Sequence, residues 1–120
     1  RLGNNSSSKI KEMKILKIKD MTGGWFVGDF KPSIFRTKQF EAGYKLHKKG
    51  ESWPVHYHKD ADEITFLLRG EMNIQGTSLK SGDVFLLLRY EIADPIFVTD
   101  CEVFVIKTPS VVGDKFNCHV

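Results

Sequence analysis

The chain of 120 residues lacks several features that would place it in a familiar class of protein. Its two cysteines, Cys101 and Cys118, are too few for a disulfide framework; they could pair, but free thiols in a cytoplasmic protein are the expectation. It has no apolar run near the roughly 18 residues that a membrane-spanning helix needs. Its net charge of +3 is spread along the chain without a dense basic stripe. We therefore expect neither a membrane nor a nucleic acid as a partner.

The sequence also lacks any stretch longer than about ten residues with the periodicity of a helix. Its length allows one domain with a modest core, so we expect residues 1–12 to be an N-terminal tail and residues 13–120 to be a single domain. Residues 9–19 come close to an alternation of lysine and apolar residues. That pattern is typical of a half-solvated edge strand.

What the sequence does contain is a series of short segments rich in β-branched and aromatic residues, separated by turn residues. Their spacing, about 8–12 residues, is typical of a β-sandwich or a β-barrel. Residues 84–88 are apolar at every position, which predicts that both faces of this strand are buried. The predicted strands are residues 13–18, 24–30, 40–47, 55–58, 63–69, 71–75, 84–88, 96–99 and 102–107.

The chemically informative segment carries His56, His58 and Glu63. Residues i and i+2 of a strand point to the same face, so the two histidines should project side by side. After a turn at residues 59–62, Glu63 should begin the return strand opposite them. Two imidazoles and a carboxylate that converge on one point suit a divalent metal ion, which could be Fe, Mn, Ni, Zn or Cu. The alternative is two exposed histidines beside a solvated carboxylate.

This segment resembles the first motif of the cupin family, Gly-x5-His-x-His-x3,4-Glu-x6-Gly. It fits at every fixed position: Gly50, His56, His58, Glu63 and Gly70. The resemblance implies an all-β fold, the double-stranded β-helix or cupin jelly-roll barrel. It also implies a dimer as the usual assembly and a metal ion held inside the mouth of the barrel. Residues 13–120 are accordingly expected to form one cupin barrel.

A resemblance to the second cupin motif begins at residues 82–85 and then ends. That motif supplies a histidine as the fourth metal ligand, and counting from Gly82 places Ala93 at its position, so the fourth ligand is absent. Asp94, if a bulge turns it inward, and His47, from a preceding strand, are the possible substitutes. A site with three protein ligands can still hold a metal ion and leaves positions open for water or substrate.

Other residues are expected to shape a substrate pocket near the metal. The candidates are Thr65 and Leu67, which share the strand face of Glu63. The aromatic residue Trp53 and the cation Arg89 are the other two. Arg89 could hold a substrate carboxylate, although a solvated strand-end charge is the alternative. Tyr90 and Tyr57 are the candidate catalytic residues, because a phenol is the best available proton donor by side-chain type.

The first functional hypothesis is a metal-dependent enzyme, an oxygenase, isomerase or lyase, that acts on a small polar metabolite. The alternative is a non-catalytic cupin that binds or senses a small molecule at a degenerate metal site. A third hypothesis is a barrel that serves only to dimerise. We expect a homodimer, because residues 13–30 carry more apolar surface than a small barrel needs for itself.

Overall fold

The structure, a computed structural model, describes residues 12–118. Within this range it contains no α-helix, and the fold class is all-β as predicted. Two short 3-10 helices, Ile18–Asp20 and Thr22–Gly24, precede the first strand. The strands are β1 (Trp25–Val27), β2 (Glu41–His47), β3 (His56–Tyr57), β4 (Asp62–Arg69), β5 (Glu71–Ile74), β6 (Thr77–Lys80), β7 (Val84–Leu87), β8 (Ile96–Phe97), β9 (Cys101–Thr108) and β10 (Phe116–Asn117). No helix in the described part of the chain is long and apolar enough to cross a membrane.

The strands form three antiparallel sheets. The largest has five strands in the order β1-β2-β9-β4-β7, a second has the order β6-β5-β8, and β10 pairs with β3. Strand β9 pairs along its length with β2 on one side and β4 on the other. It therefore forms the centre of the large sheet, although it lies late in the sequence.

The hydrophobic core lies between the five-stranded and the three-stranded sheets. Successive residues of β9 alternate between buried and partly exposed, as the period of a strand requires. Its buried residues pack with residues of β4 from the same sheet and with residues of β5 and β8 from the smaller sheet. This cluster consists of Leu67, Met72, Phe97, Cys101, Val103 and Val105.

The inner face of the large sheet changes from apolar to charged along β9. The register places Lys107 between Glu41 of β2 and Glu63 of β4, whereas Val105 begins the apolar part. Directly opposed residues of antiparallel strands present their side chains to the same face. Both Lys107 and Glu41 are buried, each with 8% of its surface exposed. Three charged residues thus line one end of the space between the sheets.

The turn at Gly70 joins β4 to β5 and takes the chain from the large sheet to the smaller one. Gly70 has a φ of +104°, which a side chain would strain. A Cβ atom there would lie 2.3 Å from the carbonyl oxygen of Asp100. Glycine is required at this turn both by the backbone angle and by this close approach.

The predicted N-terminal edge strand is wrong for the residues that the structure describes. Residues 12–17 have no regular secondary structure, and the 3-10 helix Ile18–Asp20 follows them. Residues 9–11 lie outside the described range. Met13 and Ile15 are 80% and 69% exposed. The alternation is present, but a strand also needs a neighbour to pair with, and none of the strands in the described range pairs with this segment.

The prediction that residues 84–88 are buried on both faces is also wrong. Leu87 faces the core and is 5% exposed, whereas Val84 and Leu86 are 63% and 52% exposed. Strand β7 lies at the edge of the five-stranded sheet, and only one face of an antiparallel sheet needs to meet the core. Its outward face is apolar and exposed.

The other predicted strands are present with different lengths. Residues 24–30, for example, contain only the three-residue strand β1. Strands β6 and β10 were not predicted, because the first is mostly exposed and the second has two residues. Cys101 and Cys118 are both free, as expected.

Candidate functional site

A cavity of about 440 Å³ lies between the five-stranded and three-stranded sheets. This volume suits a small organic molecule. Much of its wall is apolar, and the residues of that part include Met72, Ile74, Phe85, Leu87, Val103 and Val105. Its polar part includes His56, His58 and Glu63. The structure therefore brings the three candidate metal ligands to one cavity.

His56 and His58 face this cavity from the segment that contains β3. They are 8% and 7% exposed, and their ring centroids lie 5.3 Å apart. Tyr57, between them, pairs with Phe116 of β10. Because alternate residues of an extended chain point to opposite faces, Tyr57 is directed away from the cavity when its two neighbours point inward.

Both histidines are neutral at pH 7. Burial lowers the pKa of His56, and burial followed by the positive charge of Lys107 lowers the pKa of His58 to about 4. The Nδ1 of His56 lies 2.9 Å from the carbonyl oxygen of Pro54. A carbonyl only accepts, so Nδ1 carries the proton, and the lone pair of Nε2 is free. A neutral imidazole held by such a backbone hydrogen bond is the form that binds a metal ion.

Glu63 lies at the second residue of β4, and its side chain is 18% exposed. Its Oε1 is 3.6 Å from Nδ1 of His58. Its Oε2 accepts a hydrogen bond of 3.2 Å from the hydroxyl of Thr65, which also lines the cavity. Thr65 thereby restrains the carboxylate at the cavity wall.

The fit of this donor set to a metal ion is partial. Two neutral imidazoles and one carboxylate are suitable ligands for a divalent first-row metal. Bond lengths of about 2.0–2.2 Å allow two ligands of one ion to be about 3–4 Å apart, and the separation of His58 and Glu63 falls in that range. However, among residues 12–118 no group of three or more His, Cys, Asp and Glu side chains is arranged to hold a metal ion. The expected convergence of all three donors is therefore absent from this arrangement.

Asp114 fixes the loop that connects His58 to Glu63. Its carboxylate is 3% exposed and accepts hydrogen bonds from the backbone N–H groups of Lys59, Asp60 and Ala61 at 2.8–3.1 Å. These contacts join the C-terminal part of the chain to the turn between the candidate ligands. Asp114 is thus a positioning residue that the sequence did not reveal, because its partners lie more than fifty residues away.

Ala93, at the position of the fourth cupin ligand, lies directly opposite His56. The two residues form an antiparallel bridge with N–H···O distances of 3.0 Å and 2.7 Å. Ala93 also lines the cavity, but its methyl group supplies no donor atom. Asp94 does not replace the missing ligand, because it is not part of the cavity wall and its Oδ1 accepts the N–H of Gln75 at 2.6 Å.

His47, the other possible substitute, lines the cavity but is engaged by its neighbours. Its Nδ1 lies 2.7 Å from Oε2 of Glu51, and its ring stacks on Phe97 with centroids 4.2 Å apart. Trp53, predicted for the pocket, also lines it and donates its indole N–H to Glu51. Burial raises the pKa of Glu51, but hydrogen bonds from His47, the Lys48 amide and Trp53 outweigh burial and lower it to about 2. His47 is therefore held as part of the wall.

Four predicted site residues lie elsewhere. Leu67 is fully buried in the hydrophobic core and does not line the cavity, because the core fills this part of the inner face. Tyr57 and Tyr90 stack on each other with centroids 6.0 Å apart, and Tyr90 is 64% exposed. Arg89 is half-exposed, with Nε 3.5 Å from a carboxylate oxygen of Asp62. Neither tyrosine nor Arg89 contributes to the cavity wall.

The cavity wall also contains four lysines that were not predicted as site residues: Lys31, Lys45, Lys107 and Lys115. Lys107 could have been found by extending the two-residue period of β9, since Val103 and Val105 precede it on the same face. Lys115 lies in the short segment between Pro109 and strand β10. Nothing local marks that segment as part of a cavity.

Comparison with known proteins was informative only at the level of structure. No protein-family model matches the sequence, and no curated protein matches it. Among solved structures, an uncharacterised conserved protein with a double-stranded β-helix domain from Klebsiella pneumoniae is 14% identical, with a TM-score of 0.63. The match covers 91% of this chain and all of that chain.

Two further structures extend this likeness. An RmlC-like cupin from Shewanella frigidimarina is 19% identical, with a TM-score of 0.57 and coverage of 78% of this chain and 83% of that chain. The polyketide cyclase RemF from Streptomyces resistomycificus is 18% identical, with a TM-score of 0.61 and coverage of 70% of this chain and 63% of that chain. At these identities, the likeness shows the fold alone, and it confirms the predicted double-stranded β-helix.

Proposed function

We propose that this chain, a small protein with the cupin double-stranded β-helix, binds a small polar metabolite in its cavity and acts on it with a divalent metal ion. His56, His58 and Glu63 would be the metal ligands. The observation that carries the proposal is their common position: two buried, neutral imidazoles and one carboxylate line the polar part of a largely apolar cavity. Burying polar groups costs free energy, and clusters of such groups in a cavity are typical of functional sites.

The residues of the chain have distinct roles in this proposal. The Pro54 carbonyl holds His56 with Nε2 free, Thr65 restrains Glu63, and Asp114 holds the loop between the ligands. A bound metal ion would supply Lewis acidity and open positions for a substrate oxygen. The solved neighbours include a polyketide cyclase, which supports a small organic molecule as the ligand by analogy of fold only.

A second candidate function is a non-catalytic cupin that binds or senses a small molecule without a metal ion. Two observations favour it. Ala93 supplies no fourth ligand, and the described residues contain no group arranged to hold a metal ion. Binding and sensing would need only the cavity.

Metal content distinguishes the two candidates. The protein should be purified without an affinity tag and without added metal, and its metals counted by mass spectrometry alongside His58→Ala. We expect near-stoichiometric metal in the wild type and a steep loss in the variant, because one of only three protein ligands is removed.

His47→Gln is the matched control, since His47 lines the same cavity but is bonded to Glu51. It should keep its metal. If the wild type and His58→Ala carry the same small fraction of metal, the metal-dependent function is wrong and the non-catalytic candidate takes its place.

We also propose that residues 13–120 form one domain and that two copies associate through the outer face of the five-stranded sheet. The register aligns outward residues across the sheet, with Phe104 beside Phe66 and Phe66 beside Val84. The next row contains Ile64 and Leu86. A contiguous apolar face that is exposed at β7 and partly exposed along β4 and β9 is typical of a protein interface. The free cysteines support our proposal of a cytoplasmic location.

A further inference from the structure

Three of the four lysines in the cavity wall, Lys45, Lys107 and Lys115, lie at different depths. Lys107, on β9, is 8% exposed. Lys45, on β2, is partly buried, with Nζ 4.9 Å from the ring centroid of Trp25. Lys115 is exposed, with Nζ 4.1 Å from the ring centroid of Trp53. All five residues line the cavity. Positive charge therefore extends from the solvent to a buried part of the wall.

None of these three lysines has a carboxylate oxygen within 4.0 Å among residues 12–118. The two glutamates that flank Lys107 across the sheet do not pair with it: Glu41 accepts a hydrogen bond of 2.9 Å from Ser110, and Glu63 accepts one from Thr65. A buried charge is costly unless it is paired, and neither of these neighbouring glutamates forms an ion pair with Lys107 within 4.0 Å.

The lysines also repel one another. Burial lowers the pKa of Lys45, and the positive charges of Lys115 and Lys107 lower it further, against the smaller opposing effects of the Glu63 and Glu51 carboxylates. Burial likewise lowers the pKa of Lys115, and Lys107 adds to that effect. An anion placed between these groups would replace mutual repulsion by attraction.

We propose that the cavity binds a small organic acid, whose carboxylate pairs with Lys107 and with the amino groups of Lys45 and Lys115. The apolar body of the acid would pack against Phe85, Leu87 and the other apolar residues of the wall. A carboxylate fits better than a phosphate, because its single charge costs less to desolvate in a largely apolar cavity. The proposal rests on the cavity as a small-molecule site and names the class of ligand, but it requires no metal ion.

Phenylacetate is a suitable probe, since it combines a carboxylate with an apolar ring that a cavity of about 440 Å³ can hold. Its binding to the wild-type protein is measured by NMR titration in the presence of EDTA. Phenylacetamide is the neutral probe of the same shape, and acetate is the anion without the apolar body. We expect phenylacetate to bind at least about tenfold more tightly than either, because a hydrogen bond to a charged group contributes about that factor.

Lys107→Met removes the buried charge and keeps a side chain of similar length. We expect phenylacetate affinity to fall at least about tenfold, because the charged hydrogen-bond donor for its carboxylate has been removed. Lys80→Met, at an exposed lysine of β6 outside the cavity, is the matched control and should bind like the wild type. If Lys107→Met does not fold, Lys115→Met is measured instead, because Lys115 is the most exposed of the three lysines. Its affinity for phenylacetate is also expected to fall.

The proposal is overturned if phenylacetate fails to bind at millimolar concentration, if phenylacetamide binds as tightly, or if the folded lysine variant keeps wild-type affinity. Because the titration is done in EDTA, its outcome is independent of metal binding. If the metal analysis finds no bound metal in the purified protein but phenylacetate binds, only the metal-dependent function is contradicted. A metal-loaded protein that does not bind phenylacetate would contradict only the ligand class.

Discussion

The carboxylate of Asp114 is expected to be one of the most stabilising polar groups in this protein. It is 3% exposed and accepts hydrogen bonds from three consecutive backbone amides, at 2.8 Å from Lys59, 3.1 Å from Asp60 and 3.0 Å from Ala61. Asp114→Asn keeps the shape of the side chain but turns one acceptor oxygen into an amide donor. That amide would then face a backbone N–H group, and two donors repel.

The expected cost follows from those contacts. If the new amide takes the position of Oδ2, the backbone N–H of Ala61, a residue only 1% exposed, loses its acceptor and cannot turn to water. If it takes the position of Oδ1, the backbone N–H of Lys59 loses its acceptor and that of Asp60 loses one of two. A hydrogen bond to a charged group contributes about 1.5–3 kcal/mol, and an unsatisfied buried donor costs about 1–3 kcal/mol. We therefore expect Asp114→Asn to lower the free energy of unfolding by about 3 kcal/mol.

Urea unfolding followed by circular dichroism measures this loss, and hydrogen exchange of the Ala61 amide locates it. Asp60→Asn, in the same loop but at an exposed side chain, is the matched control and should change the free energy of unfolding by less than about 0.5 kcal/mol. A loss below about 1 kcal/mol in Asp114→Asn, or unchanged exchange at Ala61, would refute the proposed role of Asp114.

Three further outcomes follow from the site and the sheet. Burial lowers the pKa of His58 in the folded protein from its ordinary value of 6.5 to about 4, so the unfolded chain binds the proton more tightly. The contribution of His58 to the free energy of unfolding is therefore fully present above about pH 6.5 and is lost as the pH falls towards 4. We expect protonation of this residue to lower the free energy of unfolding by about 2 kcal/mol between pH 7.5 and pH 5. In urea unfolding, His58→Gln should show a smaller decrease over the same pH range. Equal decreases in the wild type and the variant would contradict the assignment of this effect to His58. Ala93→His places an imidazole opposite His56, and we expect Zn²⁺ affinity in a competition titration to rise about tenfold or more, whereas unchanged affinity would mean that the two side chains do not share an ion. Leu86→Glu puts a charge on the exposed face of β7, and sedimentation should show a monomer where the wild type forms a dimer; a monomeric wild type would contradict the proposed interface.

The fold and the polar part of the cavity were accessible from the sequence because both depend on short-range regularities. The two-residue period of a strand placed His56 and His58 together, and a short turn brought Glu63 to the same cavity. Gly70 marked a turn that the backbone requires. These features depend on neighbours within about fifteen residues, so the pattern of residue types carried the information.

The failures concern features that depend on distant parts of the chain. The apolar run of β7 did not reveal that this strand lies at a sheet edge, and the alternation near Met13 did not reveal that no described strand pairs with it. Asp114 is separated from its hydrogen-bond partners by 53–55 residues. Tyr90 was a candidate because of its side-chain type, and the structure places its exposed ring against Tyr57, outside the cavity wall.

The most direct test of the proposed metal centre is anomalous diffraction from crystals grown with Mn²⁺. We expect one strong anomalous peak in the cavity, about 2.0–2.3 Å from a ring nitrogen of His56, a ring nitrogen of His58 and a carboxylate oxygen of Glu63. Binding of the metal ion would be accompanied by side-chain rotations that bring a ring nitrogen of His56 to the same ion as His58 and Glu63. A cavity without an anomalous peak at saturating Mn²⁺, or a peak that contacts none of the three residues, would contradict the proposed metal centre.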